Sequence, residues 1–326
     1  MSSATAMDDI DRDEIVENVK QYLSNLQQTI KNQMARSPKG LPACYVKNTF
    51  WVYPNDQHHA YFELRRQQQL DPRQLYKPRV FLWLPHLLET VKCPDCKEKL
   101  DSHGWPTTSA ARKVVDITDN FYIMSYRYRC VPCKKTYMGS DESVVALLPP
   151  ELAEEFPAYL SHRSGVSLQV MRLMCSTFAS GMGPEPFMRM LYELHNRRHD
   201  GLELQYVKKR EHVKHVEKQV ASQKNQRSLL SMMNKQASEV TFSSFDDATG
   251  YCGFVPSAKY LTSLYNEYVE KCSADHDQYT SSLSADVVHV DHSHKVSITV
   301  LIYMIIKNVY ILELCRCQRI WESLME

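Results

Sequence analysis

Two Cys-x-x-Cys pairs constrain the fold of this chain more than any other sequence feature. Cys93 and Cys96 form one pair in the string CPDC, and Cys130 and Cys133 form the other in CVPC. Zn²⁺ prefers four tetrahedral nitrogen or sulfur ligands, and each pair offers two thiolates from one tight turn. The pattern therefore predicts a structural zinc ribbon with no open coordination position. Four unrelated buried thiols are the alternative.

The other six cysteines are scattered, which favours metal binding over a disulfide framework and indicates a reducing compartment. Residues 1–14 are acidic and lack the apolar core of a signal peptide, so we expect a protein that is not secreted. Residues 298–312 are apolar, but Lys307 and Asn308 interrupt them and they are too short for a membrane span. No membrane association is expected.

The first 145 residues divide into two predicted segments. Residues 1–40 repeat apolar side chains at helical spacing and end at a Ser-Pro-Lys-Gly loop, which predicts a leader helix and a linker. Residues 41–145 are predicted to form the zinc-ribbon domain. Aromatic residues before the first cysteine pair would cover its core, and residues 112–117 and 121–129 would form its strands. Base stacking is the other role open to those aromatic residues.

Residues 146–240 are predicted to be helical. Residues 151–160 follow Pro149 and Pro150, and residues 168–180 and 184–195 then show helical spacing on either side of a Gly-Met-Gly-Pro turn. These two helices have the proportions of a helix-turn-helix, although any helical hairpin shares them. A longer basic helix is predicted from residue 207 to about residue 236. The residues of this region predicted to contact bases or phosphates are Arg189, Arg197 and Arg198.

Formal charge is only +1 over the whole chain, so any nucleic-acid surface must be local. Residues 92–135 hold nine Lys or Arg and five Asp or Glu, a local excess that suits phosphate contact. A solvated basic face without any nucleic acid explains the same charges. The residues predicted to contact phosphates are Arg112, Lys113, Arg127, Arg129, Lys134 and Lys135.

Several strings in order, CPDC, HGW, RKVVDI, YRYRC, CKKTY, GFVPSAKYL and DHSHKV, resemble transposase-derived proteins with an N-terminal zinc ribbon of unassigned function. The resemblance covers about residues 45–296. It implies that residues 241–326 begin a ribonuclease-H-like domain of the kind in which three carboxylates hold two catalytic metal ions. Asp291 matches the first carboxylate, and a turn-forming aspartate is the alternative. No aspartate follows it, so the resemblance implies a truncated domain with an atypical C-terminal tail.

Together these observations predict an α+β protein: a small zinc-ribbon β domain, a helical hairpin region with a long basic helix, and a truncated ribonuclease-H-like α/β start. The predicted function is a zinc-dependent nucleic-acid-binding fragment without catalytic activity, with structural Zn²⁺ as its cofactor, no divalent metal at Asp291, DNA as partner and a nuclear or otherwise cytoplasmic location. The alternatives are a protein-interaction module and a subunit that acts with a full-length transposase. No small-molecule substrate is apparent from the sequence.

Overall fold

The computed structural model describes residues 17–54, 60–66, 70–106, 111–161, 164–223 and 240–282. The described chain is a mixture of helices and strands, in agreement with the predicted α+β class. It divides into two compact units, one made of residues up to 170 together with 190–255, the other of residues 171–189 and those from 256 onward. Asp291 and the predicted tail lie outside the described residues, so the ribonuclease-H-like start stays a prediction.

The strands of the described chain form two sheets in the first unit. In chain order they are β1 (Trp51–Val52), β2 (Val80–Trp83), β3 (Asp101–Ser102), β4 (Arg112–Val115), β5 (Asn120–Ser125), β6 (Arg127–Arg129), β7 (Thr136–Met138), β8 (Ala158–Leu160) and β9 (Ser164–Ser167). The larger sheet has six strands in the order β1-β2-β5-β4-β9-β8, and the smaller sheet has three in the order β3-β6-β7. In the larger sheet, β2 with β5 and β4 with β9 are parallel, and the other pairs are antiparallel.

The described residues also form helices. In chain order they are α1 (Glu17–Arg36), α2 (Ala43–Val46), α3 (Ala60–Arg66), α4 (Glu142–Val145), α5 (Pro150–Ala153), α6 (Leu168–Ala179), α7 (Pro184–Gln223) and α8 (Ala258–Ser282). Short 3-10 helices occupy Pro72–Tyr76 and Pro85–Leu87. Among the described residues, no helix combines the length and the apolar character needed to cross a membrane.

Strand β2 shows why the larger sheet is covered on both faces. All four of its residues are buried. Val80 and Leu82 belong to one hydrophobic cluster, whereas Phe81 and Trp83 belong to the other. Because successive side chains of a strand point to opposite faces, the two clusters lie on opposite sides of the sheet. Strands buried on both faces are continuous apolar runs, as β2 is.

Helix α1 confirms the predicted leader helix but does not stand apart from the fold. Leu23 and Ile30 are each 1% exposed and pack in the cluster that contains Leu82. Helix α2, which follows, is also held against the sheet, because the Tyr45 hydroxyl donates to the carbonyl of Leu82 and accepts from the amide of Leu84, both at 2.9 Å. Helix α1 therefore contributes to the core of the sheet.

The two strands predicted for the ribbon are divided between the two sheets. Residues 112–115 form β4, a central strand of the larger sheet, because Val114 and Val115 are almost fully buried there. The predicted strand 121–129 is two strands, interrupted only at Tyr126. Strand β5 before Tyr126 pairs in the larger sheet, and β6 after it pairs in the smaller one.

The region predicted to be helical contains strands as well. Helix α5 ends at Ala153, and Ala158–Leu160 forms β8 because Pro157 cannot continue a helix. The two predicted hairpin helices are present, but the second, α7, continues through Gly201 to Gln223 and includes most of the predicted basic helix. The predicted segment 224–236 falls outside the described residues.

The second unit contains most of α6, the first turn of α7, and α8. Phe178 makes edge-to-face contacts with Phe187 and Tyr265, at ring-centre distances of 5.7 and 4.9 Å. Gly181, in the turn after α6, has a φ of 87°, a conformation that glycine adopts at little cost. Ser257 caps α8 as predicted, since its hydroxyl oxygen accepts from the amide of Tyr260 at 3.3 Å.

Candidate metal centre

The four predicted cysteines meet at one point. The sulfur atoms of Cys93, Cys96, Cys130 and Cys133 all lie within 4.8 Å of one another, and those of Cys96 and Cys130 are 3.4 Å apart. A tetrahedral zinc ion with Zn–S bonds of about 2.3 Å places its sulfurs about 3.8 Å apart. The separations are compatible with that value, so this cluster could hold a metal ion such as zinc.

Both cysteine pairs lie on turns that share one backbone hydrogen bond and one left-handed residue. Cys93 donates its amide hydrogen to the carbonyl of Glu98 at 2.8 Å, and Cys130 does the same to Lys135 at 2.9 Å. The residue after each pair is left-handed, with φ of 63° at Lys97 and 58° at Lys134. A left-handed residue tightens the turn so that both sulfurs of a pair face the same side. The first pair lies between the bridged residues 92 and 99, and the second lies between β6 and β7.

The cysteine cluster is part of the hydrophobic core. Cys93 and Cys130 are 0% exposed and belong to the cluster that contains Phe81 and Trp83 of the larger sheet. The indole nitrogen of Trp83 donates to the carbonyl of Gly139 at 2.9 Å, which fixes the chain just beyond β7. The ribbon is therefore packed against the larger sheet through the same side chains that would bind the metal.

A second layer of contacts joins the two turns. The Tyr137 hydroxyl, carried by β7, donates to the Asp95 carboxylate at 2.7 Å and lies 3.8 Å from the Cys93 sulfur. Lys135 approaches the same carboxylate at 2.7 Å. Groups of this kind orient the ligands of metal sites and are part of the site's design. Asp95, between the first two cysteines, is thus held by two residues that follow the second pair.

The thiols of the cluster differ in acidity. Burial opposes ionisation of Cys93, but hydrogen bonds from the backbone amides of Cys96 and Asp95 outweigh it and lower the pKa to about 6. The nearby Cys96 thiol, together with burial, raises the pKa of Cys133 to about 12. Packed together, the four sulfurs resist ionising at once because their charges repel. A divalent cation removes that repulsion, which is the chemistry expected of a metal-binding cluster.

Two of the predicted phosphate contacts lie on the outside of the ribbon. Arg129 on β6 and Lys134 after the second cysteine pair are exposed. Among the described residues, no salt bridge involves either of them. Lys135 is also exposed but is paired with Asp95, and Arg127 is only half-buried. Arg129 and Lys134 therefore present the positive charge that is available next to the metal centre.

Other predicted contacts are turned away from the surface. Lys113 is 6% exposed, and its ammonium nitrogen lies 4.4 Å from the centre of the Phe254 ring. A buried ammonium cannot reach a phosphate backbone, so Lys113 is removed from the predicted set. Arg112 donates to the carbonyl of Ser161 at 3.2 Å and lies 3.8 Å from Asp141, contacts that hold it on the protein.

The predicted contacts on α7 fall into two groups. Arg189 and Arg197 are exposed and each pairs with a glutamate one turn earlier, Glu185 and Glu193 respectively. Surface pairs of this kind are weak, so both arginines stay accessible. Arg198 instead lies 3.4 Å from the Asp119 carboxylate in the first unit and is largely covered.

Asp119 belongs to an ionic network that the sequence analysis missed. Arg79 pairs with both Asp116 and Asp119, at 3.0 Å for the latter, and its guanidinium lies 4.7 Å from the Trp51 ring centre. The network holds the turn between β4 and β5 next to Arg79, the residue that directly precedes β2. The residues around Asp119 looked like ordinary turn formers, and nothing in their spacing signalled a partner forty positions earlier.

Comparison with known proteins gives one result for the region described above. A family model described as Domain of unknown function (DUF6729) matches residues 35–244, which include both cysteine pairs, the larger sheet and most of α7. No curated protein and no solved structure matches the chain significantly.

Proposed function

This chain belongs to the DUF6729 family, and we propose that it is a zinc-dependent nucleic-acid-binding protein whose ribbon contacts phosphates. The observation that carries the proposal is the position of Arg129 and Lys134, exposed beside the cysteine cluster. Phosphate contact by Lys and Arg is the sequence-independent part of nucleic-acid affinity. The metal would act structurally, by fixing the turns that present these cations.

The charge of the ribbon supports this proposal even when the metal is counted. Residues 91–103 and 127–138 hold seven Lys or Arg and three Asp or Glu. A zinc ion with four thiolates carries two negative charges, and this subtracts from the side-chain excess without reversing it. A loaded ribbon is therefore still a positive surface, although the chain as a whole is nearly neutral.

Charge reversal on the full chain tests the nucleic-acid proposal. We expect Arg129→Glu with Lys134→Glu to weaken binding to a random-sequence duplex and to lower the salt slope of the affinity by about two, one per phosphate contact. Lys31→Glu with Lys39→Glu is the matched control, since both lysines are exposed and lie outside the ribbon. Equal affinities and equal salt slopes for the two double variants would contradict the proposal.

The identity of the metal is tested separately. We propose Zn²⁺ because a cluster of four thiolates suits zinc, and four protein ligands complete the tetrahedral coordination of a structural zinc site. Elemental analysis of the purified full chain should give zinc bound to the cysteine cluster, and Cys93→Ser should remove it. Iron in place of zinc, with the visible absorption of an iron–thiolate site, would overturn this assignment.

A second candidate function, binding of a protein partner, is favoured by one observation. Val131 lies between the cysteines of the second pair with 65% of its surface exposed, and Leu88 before the first pair is 44% exposed. Apolar side chains on a surface turn suit a protein contact better than a phosphate contact. Association that survives high salt and is lost in Val131→Asp would favour this candidate over nucleic acid.

Descent from a transposase is a proposal that rests on the sequence resemblance. It implies a role beside a full-length relative in the nucleus, with Asp291 as the remnant of a catalytic carboxylate. In a mixture with such a relative, Asp291→Asn should change DNA cleavage or joining. An unchanged reaction would leave the ribbon's binding function as the whole of the proposal.

A further inference from the structure

His199 on α7 is a buried imidazole that the proposed function does not use. It is 4% exposed, and the rings of Phe242 and Tyr251 lie 5.3 and 4.7 Å from it, both nearly perpendicular to the imidazole. These rings hold the imidazole in one orientation. Its two nitrogens are consequently aimed at fixed partners.

Both nitrogens of His199 face oxygen atoms that can accept hydrogen bonds. Nε2 of His199 lies 2.9 Å from the backbone carbonyl oxygen of Ser243, which can only accept, so Nε2 carries a hydrogen. Nδ1 lies 3.0 Å from the Asp200 carboxylate, which is also an acceptor when ionised. The Nδ1 lone pair and the carboxylate oxygen can both bind one cation, and a metal ion held between them would satisfy both groups.

Glu203 adds a third possible metal ligand. It lies one helical turn after His199, and ligand atoms of His199, Asp200 and Glu203 all fall within 4.8 Å of one another. A tetrahedral divalent ion with metal–ligand bonds of about 2.1 Å places neighbouring ligand atoms about 3.4 Å apart. The 3.0 Å separation of Nδ1 from the Asp200 carboxylate is close to that distance.

We propose that His199, Asp200 and Glu203 form a second metal site, for a divalent transition-metal ion of the zinc or cobalt class. The backbone carbonyl of Ser243 fixes the tautomer, as carbonyls and carboxylates do for the histidines of known metal sites. Asp200 has 72% of its side chain exposed, so the ion has an entry path and open positions for water. Three protein ligands with open positions distinguish this site from the closed Cys₄ ribbon.

Cobalt on the full-length protein tests the proposal, because it reports thiolate and non-thiolate sites differently. The ribbon should take one Co²⁺ with an intense sulfur-to-metal absorption band, and the second site should take another without that band. We therefore expect two ions per chain in the wild type. Asp200→Asn with Glu203→Gln should lower the count to one and leave the thiolate band unchanged.

The matched control lies on the same helix. Glu211→Gln with His212→Gln changes an adjacent carboxylate and imidazole that are both exposed, and it should keep two ions per chain. Cys93→Ser should remove only the ion with the thiolate band, so failure of the ribbon and failure of this site are separate results. One ion per wild-type chain, or two in the Asp200 and Glu203 double variant, overturns the proposal.

Discussion

The two sheets of the first unit are stabilised in different ways. In the larger sheet, β2 is buried at every position and β4 and β5 at nearly every position, with hydrophobic clusters on both faces. In the smaller sheet, β3, β6 and β7 have only two or three residues each, and Asp101, Ser102 and Arg129 are exposed. Burial of apolar surface accounts for the first sheet. It does not account for the second.

The difference shows what the cysteine cluster contributes. A small sheet of such short strands has few ladder hydrogen bonds and little apolar surface of its own, so it needs further support. A structural zinc ion supplies about 10–16 kcal/mol in zinc-finger peptides, more than the net stability of most domains. The comparison thus predicts that metal loss and core truncation damage different sheets.

Loss of the metal should have the largest effect. Cys130→Ser removes a fully buried ligand, and we expect the free energy of unfolding to fall by about 5 kcal/mol or more. Hydrogen exchange should show lost protection in β3, β6 and β7, with β4 and β5 still protected. Cys272→Ser, outside the cluster, is the control. Full protection of the smaller sheet in Cys130→Ser would remove the distinction between the two sheets.

Truncation of the larger sheet should be next in size and independent of the metal. Leu82 is 0% exposed and belongs to the hydrophobic cluster that does not contain Cys93 and Cys130. Leu82→Ala should cost about 2–5 kcal/mol through lost burial and the cavity left behind. Denaturant unfolding measures this loss, and elemental analysis should still find the ribbon loaded. Release of the metal by Leu82→Ala would mean that the two sheets do not differ in this way.

The free energy of unfolding should depend on pH through His195, which contacts Asp116, the residue directly after β4 in the larger sheet. Burial lowers the pKa of His195, whose Nε2 lies 2.8 Å from the carbonyl oxygen of Asp116. Below about pH 6.5 the unfolded chain binds the proton and the folded chain resists it. Stability should therefore fall as the pH drops through 6.5, by at most about 1.4 kcal/mol per pH unit from this group.

His195→Gln should flatten that dependence, measured by denaturant unfolding at pH 7.5, 6.5 and 5.5 with excess zinc present. His103→Gln is the control, since His103 is exposed. An identical pH slope in His195→Gln and the wild type would show that His195 does not carry the effect.

A smaller effect is expected from the contacts between the two cysteine turns. Tyr137→Phe removes the hydroxyl that holds Asp95 and faces the Cys93 sulfur. We expect metal affinity to fall about tenfold and stability by about 1 kcal/mol. Competition with a coloured zinc chelator measures the affinity. If Tyr137→Phe binds zinc as tightly as the wild type, the second layer does not orient the ligands.

The smallest expected effect is an increase in the free energy of unfolding. Lys97 has a φ of 63°, a conformation that costs a residue with a Cβ more than it costs glycine. Relief of this strain is worth about 1–2 kcal/mol, and the entropy that glycine adds to the unfolded chain, with the lost Lys97 hydrogen bond to Pro94, offsets part of it. Lys97→Gly should therefore stabilise the loaded protein by less than about 1 kcal/mol. Lys99→Gly, two positions later and without positive φ, should not stabilise it. Thermal unfolding of the two variants side by side separates backbone strain from loss of a surface charge.

The sequence predicted the features that depend on short-range patterns. The spacing of four cysteines identified the cluster, because two tight turns supply all of the ligands and each turn is local. Helices α1 and α6 and the cap at Ser257 followed from apolar spacing and hydrogen-bonding residues in the same way. None of these features depends on where a distant part of the chain lies.

Features that depend on distant pairing were predicted less well. Residues 112–115 have the composition of a strand, but only their partners, β5 and β9, place them in the larger sheet. The burial of Lys113 follows from that placement and is invisible in a count of local charge. His199 gave no signal, since its partner carbonyl at Ser243 is forty-four positions away.

Tyr126 is the only residue between β5 and β6, so the chain passes from the larger sheet to the smaller sheet within one residue. We therefore do not expect the ribbon to fold as an independent module when it is separated from the larger sheet. An inserted residue at this junction would shift the alternation of every side chain on one side of it, turning Tyr128 outward or Met124 away from its cluster. Natural length variation in relatives should therefore be absent at this junction.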